Sequence, residues 1–250
     1  VSRLLKVMFK ACQTGDLKQL QLLHNYTSST NMSRTNKEGF TPLHVACACN
    51  HISILDWLNN HGGAQDISKE EPTYKRTPLF TACQHNHLRV VHWLVEHGAS
   101  EDVTKPDING LTPMFVSCQN NSLDLCQYLY DHGAMEDTIK PDINGFTPML
   151  AACQDNHMDL VKWIFNHGGG VESVTCPDNY GWTPLFVACQ GGHLDLVKWL
   201  YANGAEEDIR KRTREGETCL EIATFKNLKP VMAWLLEHDG DQIPHEYRYT

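Results

Sequence analysis

Apolar residues in this chain recur at three- and four-residue spacings in short runs, and the runs come in pairs. Between residues 112 and 133 the first run carries Phe115 and Cys118, and the second carries Leu125, Tyr128 and Leu129. That spacing predicts two amphipathic helices, a short inner one to about Asn120 and an outer one from about Leu123. Thr112 and Pro113 open the pair: a threonine hydroxyl can accept from an unpaired backbone N–H, and proline fits the first helical position. Gly133 follows where a left-handed residue is needed to end the second helix. The polar stretch from Glu136 to Gly145 holds an Asn-Gly pair, which marks a tight turn. Thr147-Pro148 then restarts the pattern.

The pattern is a repeat. Cys12, Cys47, Cys83, Cys118, Cys153 and Cys189 recur every 35 or 36 residues. From each unit's threonine, 16 residues forward, lie Trp57, Trp93, Tyr128, Trp163, Trp199 and Trp234, followed by Leu58, Leu94, Leu129, Ile164, Leu200 and Leu235. A glycine stands 21 forward at Gly62, Gly98, Gly133, Gly168 and Gly204. These offsets are constant. The extra residue falls in the connections after Gly63 and after Gly169, as expected when helices are held in register by packing and loops tolerate insertion. Units start near Lys6, Thr41, Thr77, Thr112, Thr147, Thr183 and Thr218. Residues 1–240 read as one elongated domain and 241–250 as a tail or linker. The first unit lacks Thr-Pro and is rich in Lys and Gln, while the last loses its glycine at Asp239; polar ends suit units with a neighbour on one side only.

The phrases Thr41-Pro42-Leu43-His44-Val45-Ala46 and Thr77-Pro78-Leu79-Phe80-Thr81-Ala82, and the Thr-Pro starts at 112, 147 and 183, resemble ankyrin repeats. Ala46, Ala82, Ala152 and Ala188 before the cysteines, and His87 and His193 in the inter-helix turns, extend the resemblance over residues 4–239. It implies an all-α solenoid of stacked helix-turn-helix units joined by β-hairpin-like loops. The connections are about two residues longer than the usual period of about 33 requires, which implies slightly lengthened hairpins. The histidine of the phrase survives only as His44 and is replaced by Phe80, Phe115, Leu150 and Phe186.

Composition narrows the function. A formal net charge of −9 argues against nucleic acid as principal partner, because phosphate binding depends on clustered Lys and Arg. No run is long enough to insert into a bilayer, and the opening Val1-Ser2-Arg3-Leu4-Leu5-Lys6 is too interrupted for a secretory signal. The absence of an initiating Met points to a fragment or processed chain. Ten cysteines could signal a disulfide scaffold, but stacked helices lie about 8–10 Å apart and a disulfide needs Cα atoms within about 7 Å. Equivalent cysteines of neighbouring units should not pair, so free buried thiols in a reducing, cytoplasmic compartment are expected.

Candidate chemistry is absorbed by the repeat. Cys47, Cys49 and His51 are the nearest approach to a zinc set, which needs about four converging ligands, yet Cys47 belongs to the buried column; no metal and no cofactor is expected. His61, His97, His132 and His167 precede the helix-ending glycine, where histidine suits a helix C-terminus. The Trp column reads as packing between units rather than a ligand cage. Asp66, Glu101-Asp102, Glu136-Asp137, Glu172 and Glu207-Asp208, with Lys69, Lys105, Lys140 and Lys211, read as a charge ladder on a solvated edge. Gly168-Gly169-Gly170 follows a helix instead of opening one, so it is not a phosphate cradle. No nucleophile triad or dinucleotide fingerprint is present, and no enzyme activity is expected.

What remains is surface. The residue before each threonine faces solvent in ankyrin hairpins; here it reads Phe40, Arg76, Leu111, Phe146, Trp182 and Glu217. Together with Tyr180, and with Gln84, Gln119, Gln154 and Gln190 on the inner helices, these residues suggest a binding stripe, since aromatic and Arg residues are enriched at interface anchors. Packing against adjacent hairpins is the competing account. The expected function is a protein-interaction module or scaffold that binds a protein segment on its hairpin and inner-helix face. The alternative is a regulatory or assembly domain of a larger enzyme, channel or complex. The chain is expected to be monomeric alone or a subunit of such an assembly.

Overall fold

The computed structural model describes residues 2–26 and 32–238. Thr27, Asp239 and the tail expected at 241–250 lie outside the described residues. The chain divides into two compact bodies, Val1–Asp137 and Thr138–Thr250, and among the described residues it is all helical with no strand. In the N-terminal body the helix pairs are α1 (Ser2–Thr14) with α2 (Leu17–Tyr26), α3 (Pro42–Ala48) with α4 (Ile52–Leu58), α5 (Pro78–Gln84) with α6 (Leu88–Glu96), and α7 (Pro113–Gln119) with α8 (Leu123–Asp131). In the C-terminal body α9 (Pro148–Gln154) pairs with α10 (Met158–His167), α12 (Pro184–Gly191) with α13 (Leu194–Leu200), and α14 (Cys219–Phe225) with α15 (Lys229–His238); α11 (Val171–Thr175) is one extra turn after α10. Inner helices stack on inner helices: α1 on α3, α3 on α5 and α5 on α7, then α9 on α12 and α12 on α14.

A seven-residue helix is too short to persist alone in water, so its ends need partners. Thr41, Thr77, Thr112, Thr147, Thr183 and Thr218 each accept from the backbone N–H three residues on, at 3.2–3.3 Å. Such caps are worth about 1 kcal/mol apiece. The far end of each inner helix turns through a left-handed residue: Asn50, Asn86, Asn121, Asn156 and Asn227, with Gly192 in the same place. Asparagine tolerates this region because its short polar side chain bonds locally. The turn histidines then reach across repeats. Nε2–H of His51 donates to the Gln13 carbonyl (3.1 Å), that of His87 to Ala48 (3.0 Å) and that of His193 to Gln154 (3.1 Å). Where the fourth repeat has Ser122 at this site, Asn120 Nδ2 donates to Gln84 O instead (2.8 Å).

The outer helices close by a second device. His61, His97, His132 and His238 each donate Nδ1–H to the carbonyl of the aromatic residue four earlier, at 2.7–2.8 Å. Their rings stack on that aromatic at 3.9–4.3 Å. Asn203 makes the same bond to Trp199 O. The aromatic column is mostly half-buried, so packing between repeats explains only part of it: Tyr201 meets Trp234 edge-on at 5.2 Å and Phe165 meets Trp199 at 5.4 Å.

Two expectations are corrected here. Gly168 is not the left-handed residue of its repeat; its φ is −125°, and Gly169 takes the role at +100°, because the inserted glycine shifts the turn by one. The acidic column is not uniformly solvated. Asp66, Asp102 and Asp208 are buried, while Glu101 and Glu207 beside them are exposed. The aspartates sit on single helical turns (Ala64–Asp66, Ser100–Thr104, Glu206–Arg210) between outer helix and loop. Their pairing with Lys69, Lys105 and Lys211, three residues on, is as the charge pattern indicates. Burial raises all three carboxyl pKa values, with the lysines opposing the rise.

Cys12, Cys47, Cys83, Cys118, Cys153 and Cys189 are fully buried. Cys118 Sγ lies 3.6 Å from Cys126 Sγ, within one repeat. Burial pushes the Cys12 thiol up to about 12 and Cys47 well above its ordinary value. Since the thiolate is the reacting form, a thiol reagent added to native protein should modify exposed Cys176 at least about tenfold faster than the column. Rapid native labelling of all six, by mass-resolved thiol counting before and after unfolding, would show the packing to be wrong.

Candidate functional site

The loops that join repeats are each closed from within by one side chain. Asp107 Oδ1 accepts from Asn109 N–H (2.8 Å) and Leu111 N–H (3.1 Å). Asp142 Oδ1 accepts from Asn144 and Phe146, and Asp178 Oδ1 from Tyr180 and Trp182, all at 2.8 Å. Asn36 serves the first loop, binding Glu38 and Phe40 N–H. Glu71 serves the second, whose extra residue is carried by a wider turn, binding Thr73, Tyr74 and Arg76 N–H. Carboxylates accepting backbone N–H bonds make strong contacts, and here they fix Arg76, Leu111, Phe146 and Trp182, each the residue before a threonine. Three pairs of neighbouring loops share a backbone bond: Ile108 N–H to Tyr74 O, Asn179 to Asn144 O and Arg214 to Tyr180 O. The connections are hairpin-like in this sense. Gly181 is required twice over: its φ is +80°, and a Cβ there would stand 3.3 Å from Thr213 Cα in the next loop.

In the N-terminal body, Phe40, Arg76 and Gln84 are brought together. With Gln13, His44 and Val45 they line one depression of about 280 Å3 on the inner-helix side. Phe40 is half-buried and meets the His44 ring edge-on at 5.7 Å. Arg76 is already engaged: Nε and Nη2 donate to Asp107 Oδ2 at 3.2 and 3.1 Å, Nη1 donates to Gln84 Oε1 at 3.4 Å, and the guanidinium lies over the Tyr74 and Phe80 rings. It joins one loop to the next and offers a partner only its remaining edge. Leu111 is half-buried and Gln119 exposed.

In the C-terminal body, Tyr180 is 54% exposed. Trp182 is half-buried, with its ring 6.5 Å from Tyr180 and 5.9 Å from Phe186. Phe146 is half-buried too, Gln154 is exposed and Gln190 half-buried. The aromatics before the threonines therefore divide their surface between packing and solvent. Further apolar side chains open to solvent stand earlier in the loops, at Tyr74, Ile108, Ile143 and Tyr180. Of these only Tyr180 is foreseen from sequence. The signal for the others is the Pro-Asp-Ile-Asn-Gly phrase, in which an isoleucine occupies the tip of a polar turn.

His44 holds a capping box. Thr41 N–H donates to Nδ1 (3.3 Å), and Nε2–H points at the Arg76 carbonyl (3.4 Å). Of the sequence's zinc candidates, Cys47 is buried and His51 is committed to Gln13 O. Among the described residues no three His, Cys, Asp or Glu side chains are grouped to hold a metal, and no helix is long and apolar enough to cross a membrane.

Comparison with known proteins agrees with this architecture. A family model described as "Ankyrin repeats (3 copies)" matches residues 7–107, and one described as "Ankyrin repeats (many copies)" matches 149–200 and 185–236. The chain belongs to the ankyrin repeat family. Among solved structures it is similar to the human ASB11 ankyrin repeat domain, at 23% identity and a TM-score of 0.73 over 94% of this chain and 99% of that one. No curated protein sequence matches.

Two expectations follow from the geometry. Asp107→Ala strips two N–H bonds and leaves Arg76 without its partner; urea unfolding should show a loss of about 2–4 kcal/mol, and an unchanged midpoint would mean the loop does not depend on it. His44 behaves differently. Burial first, opposed by the Arg76 carbonyl and the Glu71 charge, lowers its pKa from 6.5 to about 4. The unfolded chain therefore binds the proton first as pH falls, and the stability tied to a neutral His44 is lost between about 6.5 and 4, by up to about 3 kcal/mol. His44→Phe, the residue found at Phe80 and Phe186, should flatten the melting temperature against pH in that window. Parallel profiles for the two proteins would exclude His44 as the titrating group.

Proposed function

We propose that this chain is a non-catalytic protein-interaction module that receives a protein segment on its hairpin and inner-helix face. Ankyrin repeat domains are in general protein-binding modules, and the matched families are not catalytic ones. The observation that carries the reading is the depression shared by Phe40, Arg76 and Gln84. An aromatic ring, a guanidinium edge and an amide line one recess on a surface made by separate repeats, held by loops whose backbones are fixed from within. Tyr180, and Trp182 behind it, offer a comparable anchor in the C-terminal body. Rigid aromatic side chains on a pre-set backbone lose little entropy on binding.

The test pairs affinity with stability. A partner captured from cell extract, identified and then purified, is titrated against wild type, Phe40→Ala and Tyr180→Ala by calorimetry, and each protein is melted. Phe40→Ala or Tyr180→Ala should weaken binding by about 2 kcal/mol, roughly thirtyfold. Tyr180→Ala should change stability by no more than about 0.5 kcal/mol. Retained affinity in both variants, with a sharply lower melting point for Phe40→Ala, would assign these rings to packing.

A further inference from the structure

The first repeat departs from the others in a way that its role as an end does not require. Leu5, Phe9 and Gln13 follow one another at four-residue spacing along α1, facing the loop at Thr35–Glu38 across a groove of about 670 Å3 floored by Val45. Lys6, Lys10 and Lys37 stand on its lip against one carboxylate, Glu38. All three lysines are exposed, and none forms an ion pair among the described residues. Lys6 and Lys10 are four apart on one helix, an arrangement in which like charges repel. Cations gather here although the whole chain carries a net −9. Gln13 and Val45 also line the depression of Phe40 and Gln84, so the two recesses run on from one another. Arg76 is bound to Asp107, which leaves charge recognition to the lysines.

We propose that this groove receives an extended acidic peptide segment, with a bulky apolar side chain seated on Leu5, Phe9 and Val45 and carboxylates at Lys6, Lys10 and Lys37. The inference rests on the protein-binding reading and specifies the partner's chemistry. The groove volume is within the range of sites that bury small ligands, about 300–1,000 Å3. Its apolar floor with a charged rim matches the division between affinity and steering seen at interfaces.

The experiment uses the whole chain and short fluorescein-labelled synthetic peptides, read by fluorescence anisotropy. In one peptide Glu alternates with Leu; in the others Lys replaces Glu, or Ser replaces Leu. The Glu/Leu peptide should bind at least about tenfold more tightly than either counterpart, and more weakly as salt rises. Lys6→Glu with Lys10→Glu should weaken it at least about tenfold without moving the melting temperature, and Lys6→Gln with Lys10→Gln should fall between. The proposal is overturned if the Glu/Leu peptide fails to bind, or if the lysine variants bind it as wild type does. It is overturned equally if the Glu/Ser peptide or a single-stranded oligonucleotide binds as tightly, since that is attraction of any polyanion. Sedimentation showing a dimer that the lysine variants dissociate would place a second copy in the groove instead. Failure here leaves the broader reading intact, because that is judged by Phe40 and Tyr180 against a purified partner.

Discussion

A helix of seven residues cannot hold itself together in water, and every other property of this chain answers to that constraint. An inner helix such as Pro42–Ala48 has more unpaired backbone groups at its ends than bonds in its middle. The chain supplies a partner at each end: a buried threonine at the start, a left-handed asparagine at the finish, and a turn histidine that ties it to the carbonyl of the repeat before. Those polar bonds set the register in which Leu, Ala and Cys side chains then interlock. Hydrophobic burial provides the larger stabilisation, but it is non-directional. The hydrogen bonds decide which neighbour fits where.

The sequence made the repeat legible because helices preserve their internal spacing while loops absorb insertions. Threonine, cysteine, the aromatic and the following apolar residue all keep their offsets, and each has one structural role in every copy. The buried aspartates were less legible. Asp102 and Glu101 are neighbours of the same charge type, and no local pattern distinguishes the one that a helical turn carries inward. The loop carboxylates were hidden for a related reason. Asp107 and Asp142 lie in Pro-Asp-Ile-Asn-Gly phrases whose Asn-Gly pair already explains a turn, so nothing in the phrase marks the acid as the group that closes it.

Site legibility was limited by a competition between packing and exposure. A large residue before the threonine can lean toward the inner helix, as Trp182 leans toward Phe186, or face outward, and its identity is the same either way. Arg76 shows the difficulty most plainly. It stands at a position suited to recognition, yet a buried aspartate one repeat on claims its guanidinium.

Because Asp107, Asp142 and Asp178 each close their own loop beneath its tip, the tip side chains contribute little to holding the fold. Ile108, Ile143 and Tyr180 can be exchanged while Asp107, Asp142 and Asp178 continue to set the backbone beneath them. The architecture thus separates two kinds of inheritance within a single repeat. One set of positions is bound to geometry and tolerates little drift; the other is free to diversify, so that new recognition can arise by point change without a new scaffold.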